Sequence, residues 1–146
     1  VRTHTKSLRA GVSYLLAQAP GPSYCLLVTL YHGAHTRFAL HVGQCWTPCE
    51  RAAQAYADGS GIVAEAELDL DGLDVWECEG YDRDADNAPG DSLASLEEWD
   101  LPTDGSIDVI IFDDEDMYGR PHKTYRLMSE LAVARLTVAQ SDEVAA

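Results

Sequence analysis

The stretch Ile62-Val63-Ala64-Glu65-Ala66-Glu67-Leu68-Asp69-Leu70 constrains the fold more than any other part of the chain. Apolar and acidic residues alternate along it, which is the period of a strand with one buried and one wet face. Such a strand needs a sheet around it and a layer to cover its apolar side. Several other segments read as companions. Tyr24–Tyr31 is a continuous apolar run of buried-strand type, ending in His32-Gly33. Residues 37–42 alternate and predict a short strand or turn, and Val75–Cys78 a short strand. Ile107–Phe112 predicts a buried strand that runs into Asp113-Asp114-Glu115-Asp116. Lys123–Met128 and Val133–Val138 read as two closing strands.

Helical signals are fewer. Leu8, Val12, Leu15 and Leu16 lie at helical spacing, so residues 5–19 predict a helix, stopped by Pro20-Gly21-Pro22. Thr47-Pro48-Cys49-Glu50 has the form of a capping box with proline at the first helical position. The helix it opens runs to Ala57 and ends at Asp58-Gly59-Ser60-Gly61. Ser92–Trp99 predicts a short helix capped by Asp91 or Ser92, after a polar loop over 80–91. The order is helix, strand, helix, then mostly strands. It points to a compact α+β domain rather than a doubly wound sheet. The expected organisation is one domain: an N-terminal helix and linker (1–22), a core (23–138) and a flexible tail (139–146).

A chain of 146 residues, 46% hydrophobic, can bury a core without a metal or disulfide staple. Its charge is segregated. Residues 1–49 hold no acid, whereas residues 58–116 hold 21 acids and one base, Arg83, within a net charge of -15. This argues against nucleic-acid binding, which needs a basic footprint. An anionic ligand on the basic arm, a basic partner on the acidic face, and charge that serves only solubility all remain open. No apolar run reaches the ~18–20 residues of a membrane helix. No secretory leader is visible. Cys25, Cys45, Cys49 and Cys78 read as free thiols in a reducing cytoplasm. His41, Cys45 and Cys49 fit no strong zinc spacing, so no metal is expected.

Three features can carry chemistry. His32-Gly33 ends a strand, where an imidazole meets accessible backbone. Trp46 and Tyr56 flank the capped helix and read either as core aromatics or as two walls of a cleft. The four acids after Phe112 read as a solvated turn, a divalent-metal site or the anion of a cleft. Arg37 or Arg9 could contact a pyrophosphate.

In order, the chain carries a strand ending in His-Gly, then an aromatic and Thr at a helix start. Ala53-x-x-Tyr56 lies within that helix, alternating strands follow, and an acid sits near a late strand. This order, over about 24–138, resembles the NAD-dependent ADP-ribosyltransferase family in its His-Tyr-acid branch. Small phage anti-CRISPR members of that family look similar: Asp113-Asp114-Glu115 and Gly119 precede Thr124-Tyr125 here. The resemblance implies a split β-sheet core with a few short helices. It implies an enzyme that uses NAD and modifies a protein, in an anti-defence or toxin-like role. It implies that His32 bonds a ribose hydroxyl and that the Gly33 backbone holds the nicotinamide amide. Thr47 and Tyr56 would wall the nicotinamide pocket, with Trp46 beside them. Asp114 would be the catalytic acid, with Glu115, Asp113 and Asp116 as near alternatives. The chain departs from the widespread pattern at His122-Lys123-Thr124-Tyr125, where no acid stands. An acidic interaction protein, a binding-only relative and an NAD hydrolase are the competing expectations.

Overall fold

The computed structural model describes residues 2–7, 13–15, 26–59, 61–80, 88–139 and 144–145. The chain begins with β1 (Arg2–Ser7) and β2 (Ser13–Leu15), then β3 (Leu27–Ala34), β4 (Phe38–Ala39) and β5 (Cys45–Trp46). Helix α1 (Glu50–Ala57) follows, then β6 (Ile62–Asp69), β7 (Asp74–Glu79) and α2 (Leu93–Glu98). The chain continues through β8 (Val109–Glu115), β9 (Pro121–Leu127), α3 (Glu130–Ala134), β10 (Leu136–Val138) and β11 (Val144–Ala145). It is a mixed α+β fold, mostly strand, with three short helices among the described residues.

Six strands form one sheet in the order β2-β1-β7-β8-β9-β5, and three form a second in the order β10-β6-β3. The alternating stretch behaves as its pattern dictates. Ala64, Ala66 and Leu68 point inward, while Val63, Glu65 and Glu67 are exposed. Their inner partners are Leu30 on β3 and, across the layer, Val75, Val109, Ile111 and Leu127 of the larger sheet. A second core lies on the far face of that sheet. There Ile110, Phe112 and Cys78 pack on Leu96, Trp99 and Leu101. Strand β8 is covered on both faces along residues 109–112, which explains its unbroken apolar run.

Several expectations are corrected. The helix over 5–19 is replaced at its described positions by two antiparallel strands, with Thr5 opposite Leu15. Residues 8–12 and 16–19 lie outside the described residues. The β-branched Thr3 and Thr5 favour extended backbone. Parallel pairing with β7, from Arg2↔Asp74 to Ser7↔Glu79, satisfies the β1 ladder. The described residues of the N-terminal segment, 2–7 and 13–15, therefore belong to the large sheet. The first core strand starts at Leu27 rather than Tyr24 and runs through Gly33 to Ala34. Tyr24 and Cys25 lie outside the described residues, and only Leu30 of this strand is fully buried, because β3 is a sheet edge.

The acid run is not a turn. Asp113, Asp114 and Glu115 continue β8, opposite Lys123, His122 and Pro121. The predicted closing strand over 133–138 divides into α3 and β10, because the Ser129 hydroxyl accepts from the Ala132 N–H and caps a helical turn first. In the expected tail, Val144–Ala145 pair with Phe38–Ala39; residues 140–143 lie outside the described residues, as do 81–87 of the polar loop. No helix among the described residues is long and apolar enough to cross a membrane.

Candidate active site

The two sheets meet at a bridge between β3 and the residue after β5. Tyr31 donates to the Thr47 carbonyl at 2.7 Å and accepts from the Thr47 N–H at 2.9 Å. Thr47 is thus held as the bridge residue ahead of the helix, where its hydroxyl accepts from the Cys49 N–H at 3.1 Å. Helix α1 starts at Glu50, with Cys49 at its N-cap position, in place of the expected start at Pro48. The Thr47 hydroxyl also donates to the Lys123 carbonyl at 2.7 Å, tying the bridge to β9. At the other end of α1, Asp58 in the left-handed conformation ends the helix.

Beside this bridge lies a cleft of ≈ 270 Å³. It is lined by His32 and Gly33 from β3, Trp46 and Thr47 from β5 and its end, Tyr56 from α1 and Asp114 from β8. Six expected site residues from separate elements thus converge on one cavity. Tyr31, Cys45, Ala53, Ala88, Phe112, Thr124 and Arg126 complete its walls, and the sequence reading missed them. A signal for some was present. Period two carries Asp114 back to Phe112, and the antiparallel register then places Thr124 opposite Phe112 and Arg126 opposite Ile110. Arg37 and Glu115 do not line the cleft: Arg37 is exposed between β3 and β4, and Glu115 follows Asp114 on the strand. Arg9 lies outside the described residues.

His32 is fixed by its neighbours. Its Nδ1–H donates to the Cys45 carbonyl at 2.7 Å, and its ring lies 5.1 Å from Trp46 and 4.6 Å from Phe38. That bond assigns the tautomer: Nε2 carries the lone pair. Burial pushes the His32 pKa below its ordinary value, outweighing the pull of the Cys45 carbonyl, and His41 adds to the lowering. The imidazole is therefore a neutral acceptor at neutral pH.

Gly33 serves two surfaces. A Cβ there would stand 2.0 Å from the Ala53 carbonyl, so only glycine lets α1 lie this close to β3. This packing, rather than ligand access alone, requires the glycine. Its backbone faces the other way. Because Tyr31 turns its N–H and C=O to Thr47, strand alternation turns those of Gly33 to the same side, along the cleft.

The four acids divide. Asp113 accepts from the Gly80 N–H at 3.0 Å and pairs with Lys123 at 2.6 Å on the opposite face of β8. Burial raises its pKa, but the Lys123 ammonium and the Gly80 N–H outweigh this and hold it below the usual range. Asp116 is buried in the β8–β9 turn, where it accepts from the N–H groups of Tyr118 and Arg120 and from Arg120 Nε. Asp114 alone of the four lines the cleft. Its Oδ1 accepts from the Glu115 N–H at 2.8 Å, and its Oδ2 accepts from the Thr124 hydroxyl at 3.2 Å. Opposite it, His122 is buried with Nε2 3.8 Å from Oδ2, under the ring of Tyr56.

The cations and thiols near the cleft are engaged. Arg126 donates to the Pro89 carbonyl at 2.7 Å, pairs with Asp91 and donates from Nε to Cys45 Sγ. Burial pushes the Cys45 thiol up despite Arg126, so it stays protonated and a poor nucleophile. Cys45, Cys49 and Cys78 are free thiols. Trp46 is core and cleft wall at once, whereas Tyr56 is 44% exposed. Set against protein-family models, curated proteins and solved structures, the chain matches none of them.

Proposed function

We propose that this chain is an NAD-dependent mono-ADP-ribosyltransferase. It cleaves the nicotinamide–ribose bond and transfers ADP-ribose to a macromolecular acceptor, a protein. The observation that carries this reading is the convergence of His32, Gly33, Tyr56 and Asp114 on one cleft between two sheets. The parting of those sheets beside the Tyr31–Thr47 bridge also supports the family's split-sheet fold.

The residues suit the reaction. A primary carboxamide both donates and accepts, as do the paired N–H and C=O of Gly33. A neutral His32 accepts a ribose hydroxyl bond through Nε2. Tyr56 offers a ring face to a flat heterocycle. When the C1′–N bond breaks, its electron pair leaves with nicotinamide and positive charge develops on the ribose carbon. The Asp114 carboxylate stabilises that charge more than the ground state. The acceptor then bonds C1′ and releases its proton. The cleft lies just below the ~300–1,000 Å³ range of small-molecule sites, a size for the nicotinamide-ribose end rather than the whole dinucleotide.

The test is nicotinamide release and transfer of labelled NAD by the purified protein. Asp114→Ala and His32→Ala should each lower turnover about 100-fold, while Asp113→Asn, on the other face of β8, should retain it. Full turnover in both of the first two variants would sink this mechanism.

A second reading, an acidic surface that docks a basic protein, is favoured by the outward Glu65 and Glu67 of β6 and the exposed Glu97 and Glu98 of α2. It predicts salt-sensitive binding to a basic partner and no heat of binding with NAD in calorimetry.

A further inference from the structure

His122 is a buried polar group beside the cleft that the proposed reaction leaves unused. Its side chain is 1% exposed, and its Nε2 has no hydrogen-bond partner. It sits directly across from Asp114 in the β8–β9 register. The two ring nitrogens face acceptors on both sides: the Arg120 carbonyl lies 3.5 Å from Nδ1, and Asp114 Oδ2 lies 3.8 Å from Nε2. A neutral imidazole has one donor and one acceptor. With its hydrogen on Nε2, the ring points that donor at Asp114. The charged or titratable groups facing it are Asp114 from β8 and Tyr56 from α1, whose ring lies edge-on at 6.3 Å. The Arg120 guanidinium is turned away to Asp116.

We propose that His122 is the positioning residue for Asp114. Its Nε2 edge faces Oδ2 beside the Thr124 hydroxyl and holds the carboxylate in its place in the cleft. It touches no substrate and acts through Asp114. A carboxylate that stabilises a developing cation works only from a fixed place, and a misplacement of about 1 Å can cost about 100-fold in rate. The catalytic meaning of the pair rests on the proposed transferase reading; the contact itself does not.

The experiment compares the full chain with His122→Ala and His122→Gln. Glutamine carries a donor of similar reach. NAD turnover is measured as kcat and KM, with folding checked by circular dichroism. His122→Ala should lower kcat about 10- to 100-fold with KM for NAD within about twofold. His122→Gln should recover most of that loss. A kcat within twofold of wild type in His122→Ala, or a glutamine variant as poor as alanine, overturns the proposal. If the wild-type chain releases no nicotinamide, the transferase reading fails on its own. The pair is then judged by crystal structures of wild type and His122→Gln against His122→Ala. Asp114 should leave the Thr124 hydroxyl only in the alanine variant, and an unmoved Asp114 there overturns the positioning role.

Discussion

Two histidines serve the cleft in different ways: His32 lines it, and His122 faces Asp114 from the neighbouring strand. His32 donates from Nδ1 to Cys45 and is held neutral by burial, so its Nε2 accepts. Its folded-state pKa lies below the unfolded value, so the folded chain resists protonation there. Stability at this site is full above the ordinary histidine range and declines as pH falls below it. Ligand affinity follows the same sign: a protonated His32 has no lone pair for a ribose hydroxyl. NAD binding by calorimetry should be flat between pH 7 and 8 and weaker at pH 5, and His32→Gln should bind weakly with little pH dependence. A wild-type affinity unchanged down to pH 5 would remove His32 from the site. The acids make a parallel point. Asp113, Asp114 and Asp116 are near neighbours in sequence. One pairs with Lys123, one lines the cleft and one holds a turn. Composition cannot separate them; strand alternation does, once β8 is known to extend through Glu115.

At the level of elements, the critical contact is α1 on β3. Gly33 and Gly61 both let backbone approach where a Cβ would clash with carbonyl oxygens at 2.0 and 2.3 Å. Gly33→Ala must push α1 away, and overpacking of this kind costs about 1–3 kcal/mol. The melting temperature should fall by several degrees and the Tyr56 wall should shift with the helix. A variant as stable as the wild type would show that α1 is free to slide. Helix α2 is anchored differently. Ser92 and Ser95 cap it reciprocally, at 3.0 and 3.1 Å, as the Ser92 reading predicted. Where local signals agreed with tertiary demand, as in β6, α2 and β9, the elements were legible to within a few residues. They failed where a partner strand decided the outcome. Thr47 reads as a cap from its neighbours, but Tyr31 claims its backbone, its hydroxyl is shared between the Cys49 N–H and the Lys123 carbonyl, and the helix begins only at Glu50. β1 reads as helix until β7 offers it a ladder. The same holds for the site. Its six convergent residues were legible through their order along the chain. Arg126, His122 and Thr124 were not, because only the β8–β9 register brings them to Asp114.

For the molecule as a whole, a net charge of -15 is the dominant long-range force. Exposed acids such as Glu65 and Glu67 on β6 and Glu97 and Glu98 on α2 add to this self-repulsion, which opposes the compact state. Salt shortens the Debye length from about 30 Å at 0.01 M to about 8 Å at 0.15 M. The melting temperature should therefore rise over that range by thermal-shift assay. A fall would mean that pairs such as Lys123–Asp113 and Arg126–Asp91 outweigh the repulsion. The bridge between Tyr31 and Thr47 has a mechanical consequence at this scale. His32 and Gly33 stand on one side of that joint and Asp114 on the other. A small molecule gripping both sides acts as a rivet through two plates. Its binding free energy is at the same time cohesion between the sheets. Any substitution that slackens the joint will then register as lost affinity, although it touches no atom of the ligand.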